Sequence, residues 1–83
     1  MATLYKTDGT TEEHTPDGKK ITLAQAQGLV GGYVELVRLG KKGVLLVDEE
    51  GLIKQLPINH QASKLAGKLL VGPVLHTRAE GWG

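Results

Sequence analysis

Apolar and polar positions along the chain change rhythm several times, and each change marks an element. From Thr3 to His14, TLYKTDGTTEEH, two threonine-rich, β-prone runs flank Asp8-Gly9. That dipeptide supplies the positive φ angles of a tight type I′ turn, so the segment predicts a β-hairpin. Pro16-Asp17-Gly18 then turns the chain. A short helix follows: Thr22 caps it, Gln25 lies three residues on as in a capping box, and Leu23, Ala26 and Val30 share one face. Gly31-Gly32 ends it.

Two strands come next, Tyr33–Leu39 and Val44–Val47, joined by Gly40-Lys41-Lys42-Gly43. The turn Asp48-Glu49-Glu50-Gly51 suits a type I turn with a glycine bulge, Gly51 at positive φ, and leads into a third strand, Leu52–Leu56. These three strands predict an antiparallel meander. Pro57 stops it, Asn59 caps a second helix over His60–Ala66 with Ala62, Leu65 and Ala66 inward, and Gly67 closes that helix. The last strand, Leu69–His76, contains Gly72-Pro73. Proline donates nothing to a ladder, which places this strand at an edge or on a bulge. TRAEGWG has no period and reads as a mobile tail over 78–83, leaving residues 1–77 as a single domain.

The order predicts an α+β fold: an antiparallel sheet, made of the N-terminal hairpin, the three-stranded meander and the C-terminal strand, with two short helices packed on it. Side chains of YVELVRL alternate between faces, with Tyr33, Glu35, Val37 and Leu39 on one and Val34, Leu36 and Arg38 on the other. Both sets are largely apolar, and Val44–Val47 is apolar without alternation, so both faces need cover. Two helices of about two turns each are expected to cover one face only, leaving the second to a partner subunit, with Glu35 and Tyr33 in or beside that contact.

Composition sharpens this expectation. A chain of 83 residues buries only about 60–65% of the surface its unfolded form exposes, so small domains look for further support. There is no cysteine to supply disulfides, and the three histidines, His14, His60 and His76, lack ligand spacing, so no metal is expected. Oligomerisation remains. Ten basic against nine acidic side chains give a net charge of +1, which disfavours nucleic acid as the partner. Neither a membrane-length apolar run nor a signal sequence is visible in this stretch, and a cytoplasmic protein is expected.

Chemistry is sparse. No nucleophile–base pair, Gly-rich phosphate loop or spaced carboxylate pair is visible, Ser63 stands alone in a helix, and neither catalysis nor a cofactor is expected. Asp48-Glu49-Glu50 is read first as a solvated turn. Lys41-Lys42, with Lys19-Lys20 elsewhere, is read first as a solubilising hairpin tip, with phosphate binding the sharper alternative. Asn59 is read first as a cap, although a helix start followed by Lys64 suits an anion. Trp82 is either an anchor into a neighbour or part of a loose end. Glu35 either reaches water at an edge, pairs with Arg38, Arg78 or a lysine of a neighbour, or faces a ligand. Ligand-binding or interface residues are thus expected among Tyr33, Glu35, Arg38, Asn59, Lys64 and Trp82.

Three segments together, LVGGYVELV (Leu29–Val37), DEEGLIKQLPINHQA (Asp48–Ala62) and LLVGPVL (Leu69–Leu75), resemble the domain-of-unknown-function family 3846. Its members are small proteins common in bacteriophages and mobile genetic elements. Gly31, Gly32, Tyr33 and Glu35 match the family's GG-aromatic-x-E element. Glu50, Gly51, Leu56, Pro57 and Asn59 match its N-E-E-G turn and L-P-x-N segment, from which Asp48 departs. The resemblance carries no established activity. It implies a phage-type accessory protein in the host cytoplasm and makes Tyr33, Glu35 and Asn59 the first residues to test. On this basis the leading expectation is a non-catalytic homo-oligomer that sequesters a small anionic ligand, such as a nucleotide immune signal. The competing one is a module that inhibits or adapts a host protein.

Overall fold

A computed structural model describes residues 2–16 and 18–83. The turn expected at Pro16-Asp17-Gly18 therefore has its central residue outside the described ones. Strands β1 (Ala2–Tyr5), β2 (Thr11–His14), β3 (Val34–Arg38), β4 (Val44–Asp48) and β5 (Val74–Thr77) accompany helices α1 (Leu23–Val30) and α2 (His60–Ala66). The strands form one antiparallel sheet in the order β2-β1-β5-β4-β3, as an α+β chain requires.

The N-terminal hairpin forms, with a different turn. Lys6 and Thr10 pair through Lys6 N–H to Thr10 carbonyl at 2.9 Å, and Gly9 N–H reaches the Lys6 carbonyl at 3.2 Å. Gly9 alone has positive φ there, +90°, which makes a type I turn plus glycine bulge in place of the expected type I′ turn. Asp8 stays at negative φ, and its carboxylate accepts from the Thr10 N–H and hydroxyl.

Both helices begin and end where their caps predict. Gln25 N–H donates to Thr22 Oγ1 at 3.1 Å, Ala62 N–H donates to Asn59 Oδ1 at 3.1 Å, and Gly31 and Gly67 close the two helices in the left-handed region. Within α1, Ala26 and Val30 are buried as expected, but Leu23 is exposed. Leu29 instead packs on the core.

The expected third strand of the meander, Leu52–Leu56, is a run of turns. Lys54 N–H bonds the Glu50 carbonyl, Gln55 N–H that of Leu52, and Leu56 N–H that of Gly51. The buried Asp48 carboxylate dictates this path. Its Oδ1 accepts from Glu50 N–H at 2.8 Å and its Oδ2 from Lys54 Nζ at 2.9 Å, which only a chain curled back over it can supply. Gly51 is needed, but not for the positive φ expected of it. A β-carbon there would lie 2.8 Å from Val71 Cγ2 and 3.3 Å from the Asp48 carbonyl oxygen.

With Leu52–Leu56 out of the sheet, β4 takes β5 as its second neighbour, in the register Val44↔Thr77, Leu45↔His76, Leu46↔Leu75. The C-terminal strand is thus the centre of the sheet and not an edge. Pro73 fits because β5 starts only at Val74, so proline has no ladder bond to make.

The helices lie on opposite faces. Ala26 and Val30 of α1 pack with Ala2, Leu4, Ile21, Leu46 and Leu75, while Ala62 of α2 packs with Leu45, Val47, Leu70 and Val74. Adjacent β4 residues, Leu45 and Leu46, therefore enter different cores, and all five β4 residues are buried. Each helix needs to cover only its own face, so the apolar faces do not by themselves demand a second subunit. The 78–83 segment, expected as a tail, folds back: Ile21 N–H donates to the Gly81 carbonyl at 2.8 Å, Trp82 bridges Ile21, and its ring packs on the α1 core.

At the β3–β4 turn, Gly43 has φ +99°, and a β-carbon there would run into the Thr77 carbonyl oxygen and the Arg78 Cα. Gly43→Ala should destabilise by about 3 kcal/mol or more, since strain and clash add. Gly28, inside α1 with nothing near a β-carbon, should tolerate alanine and gain about 0.5–1 kcal/mol. Urea denaturation of the two variants checks this; equal effects would contradict the close approach at Gly43.

Candidate functional site

Alternation along β3 fixes where the expected residues go. Glu35 pairs with Val47 and so lies on the α2 face; Arg38 pairs with Val44 at the other end of β3 and on the α1 face. Both are exposed, and the register keeps them apart, so Arg38 does not partner Glu35. Tyr33 is exposed just before β3, and its carbonyl accepts from Glu49 N–H at 2.9 Å. Lys64 is exposed on α2, and Trp82 is half-buried on the α1 side. The six expected residues therefore do not form one site.

Asn59 is fully buried and has no room for a ligand. Its Nδ2 donates to the Tyr5 carbonyl at 2.8 Å and the Gly72 carbonyl at 2.9 Å, while its backbone N–H reaches the Leu70 carbonyl at 2.9 Å. Its role in the structure is the expected cap together with these ties to β1 and to the approach to β5.

Two surfaces with chemical character remain, at opposite ends of the β3–β4 hairpin. The first is a groove of about 430 Å³ on the α2 face, between Glu35 and Val47 of the sheet, the turns at 49–53 and the Lys68–Val71 segment. Its volume falls within the range of binding pockets. Leu52, Ile53 and Leu69 line it while 74%, 81% and 62% exposed. Among the described residues, Glu35, Glu49 and Lys68 on its walls have no ion-pair partner. Only Glu35 of the six expected residues belongs to it. Leu52 and Ile53 were legible as apolar, but the strand reading assigned them to pairing and hid their exposure.

Asp48 forms the base of this groove. Burial pushes its carboxyl up, but the Lys54 hydrogen bond, the Glu50 N–H and the Lys54 charge outweigh that, and the group lies below the ordinary carboxylate value. The Asp48 hydrogen bond in turn raises Lys54. Asp48 thus stays ionised and paired, a wall rather than a reagent.

The second surface has two adjoining clefts. One lies between the Gly40–Gly43 loop and His76, Arg78, Ala79 and Glu80; the other is lined by Lys19, Thr77, Arg78, Glu80 and Gly81. None of these basic residues was among the six expected. Lys41-Lys42 and Lys19 were visible as pairs of charges, but nothing local shows that they meet at Arg78. Among the described residues no three His, Asp or Glu side chains gather as a metal would need, and no helix is long and apolar enough to cross a membrane.

The model of the family described as Domain of unknown function (DUF3846) matches residues 4–83, and the chain belongs to that family. No curated protein and no solved structure matches.

Two predictions follow from the buried polar groups. Asn59→Ala strands the Ala62 N–H and two carbonyls, and should cost about 2–4 kcal/mol in chemical denaturation, against less than about 0.5 for exposed Lys64→Ala. Because Asp48 has a depressed folded-state value, its contribution to stability is present above the unfolded carboxylate value near ~3.9 and is lost as pH falls through the folded one. Stability of the parent chain should therefore fall more steeply below about pH 5 than that of Asp48→Asn. Parallel acid profiles of the two would contradict the pairing.

Proposed function

We propose that this chain is a non-catalytic binding protein whose working surface is the groove on the α2 face, and that it receives a protein segment there. The observation that carries this is the exposure of Leu52, Ile53 and Leu69 around one concavity, in a chain whose other large aliphatics mostly pack in two cores. Grouped apolar side chains left in water mark protein contacts more than isolated ones do. Glu35 and Glu49 against the single Lys68 favour a partner segment with apolar anchors and a basic flank. Under the phage-type setting this partner is a host protein in the host cytoplasm, the inhibitor or adaptor expected above. The small anionic ligand is the second reading, favoured by the cations gathered at the opposite end of the hairpin.

Native mass spectrometry of protein purified from bacterial lysate separates the readings. A co-purifying polypeptide is expected with the parent chain and lost with Ile53→Glu plus Leu69→Glu, whose folding stability should change by less than about 0.5 kcal/mol per exposed site. Glu35→Gln should leave the fold intact and weaken capture of the basic-flanked partner. A second copy held in a dimer that the groove variants dissolve would identify the occupant as self and support homo-oligomerisation instead. A clean 8.9 kDa monomer, or a retained small-molecule mass indifferent to the groove variants, would overturn the groove reading.

A further inference from the structure

The chain folds so that residues distant in sequence bring their positive charge to one place. Lys41 and Lys42 sit on the 3-10 turn between β3 and β4, Arg78 follows β5, and Lys19 precedes α1. All four are exposed, and all line one or other of two clefts of about 470 and 530 Å³ that share Arg78 and Glu80. Four cations face one carboxylate here, in a chain whose net charge is only +1. Among the described residues none of the four has an ion-pair partner, Glu80 included. Cations brought to one surface in this excess raise the local positive potential, which attracts an anion.

The backbone beneath them is close-set. Gly43 lies against the Thr77 carbonyl and Arg78 Cα so tightly that no β-carbon fits, and a β-carbon on Gly81 would lie 2.6 Å from Thr77 Oγ1. His76 Nε2 donates to the Lys42 carbonyl at 2.6 Å, which fastens the lysine-bearing turn to the central strand. The loops carrying Lys41, Lys42 and Arg78 are thereby fixed relative to one another, which lowers the ordering cost of binding. Arg78, with its planar fork of donors, stands where the two clefts meet and suits a bidentate phosphate contact, with the lysines as point charges to either side.

We propose that the paired clefts around Arg78 bind a small phosphorylated ligand carrying at least two phosphate groups, one in each cleft. This rests on the anionic-ligand reading and gives it a place other than Asn59 and Lys64; it is independent of the apolar groove.

Backbone amide NMR of the whole chain, titrated with inorganic phosphate, pyrophosphate, a nucleoside triphosphate and a short single-stranded oligonucleotide, tests it. Pyrophosphate and the triphosphate should give saturable shifts over Gly40–Val44 and Thr77–Trp82 and bind at least about tenfold more tightly than phosphate, with affinity falling as salt rises. Arg78→Gln and Lys42→Gln should each weaken them by about tenfold or more, Arg78→Lys should not restore full affinity, and Lys64→Gln and Lys68→Gln should change nothing. Saturable shifts elsewhere would overturn the site while preserving an anionic ligand. Absence of saturation with every probe would overturn both. Preference for the oligonucleotide, with affinity growing with its length, would replace the small ligand with single-stranded nucleic acid.

Discussion

Asn59 is the residue on which the arrangement of the chain depends. Its Oδ1 starts α2, its Nδ2 holds the end of β1 through Tyr5 and the entry to β5 through Gly72, and its N–H holds Leu70. One fully buried amide thus joins a helix, an N-terminal strand and the approach to the central strand. Both amide protons and the side-chain oxygen are satisfied, which is the condition for burying it without penalty. A carboxylate of the same shape could not serve, since it would face two carbonyls with no donor. With that junction set, β5 can enter between β1 and β4 only from the Gly72 side, and α2 is held over the Leu45–Val47–Val74 face.

That junction also explains what could be read ahead of the structure. Caps are local, so Thr22, Gly31, Asn59 and Gly67 give both helices, and α2 has the boundaries expected. The unbroken Val44–Val47 run correctly signals cover on two faces, because alternate side chains of a strand enter different layers. What covers them is a long-range matter. Helix length showed how much area each helix hides but not on which side it docks, and Asn59 settles that through partners 54 and 13 residues away. A partner subunit on the second face is required only if both helices share the first; their placement on opposite faces removes that requirement without deciding the assembly.

The Leu52–Leu56 segment shows the converse failure. Leu, Ile, Gln and Leu after a turn signal look like a third meander strand, and the buried Asp48 carboxylate, paired with the exposed Lys54, overrides that preference. Asp48 has a side chain only 2% exposed at the end of a fully apolar strand, where an unpaired carboxylate would be costly. Curling residues 49–56 back over it supplies the ammonium and an N–H, and the same curl pushes Leu52 and Ile53 outward. The apolar groove is therefore a consequence of satisfying a charge, and its exposed side chains are held in place by an ion pair underneath. Pattern reading saw Asp48, Glu49 and Glu50 as one acidic trio; the structure separates a buried first member from two solvated ones.

The two candidate surfaces then differ in kind as well as position. At one end of the β3–β4 hairpin the unpaired groups are apolar, with Glu35 and Glu49 beside them; at the other they are cationic, around Arg78. Coulomb attraction between these ends is screened over about 10 Å at ordinary salt, so each acts on its own surroundings. The strand between them is Leu45, Leu46 and Val47, packed on both faces and without a polar side chain or a left-handed residue. Packed on both faces in this way, the strand is a fixed spacer between the two ends. On this frame the groove and the clefts offer two separate chemistries, and each proposal can hold without the other.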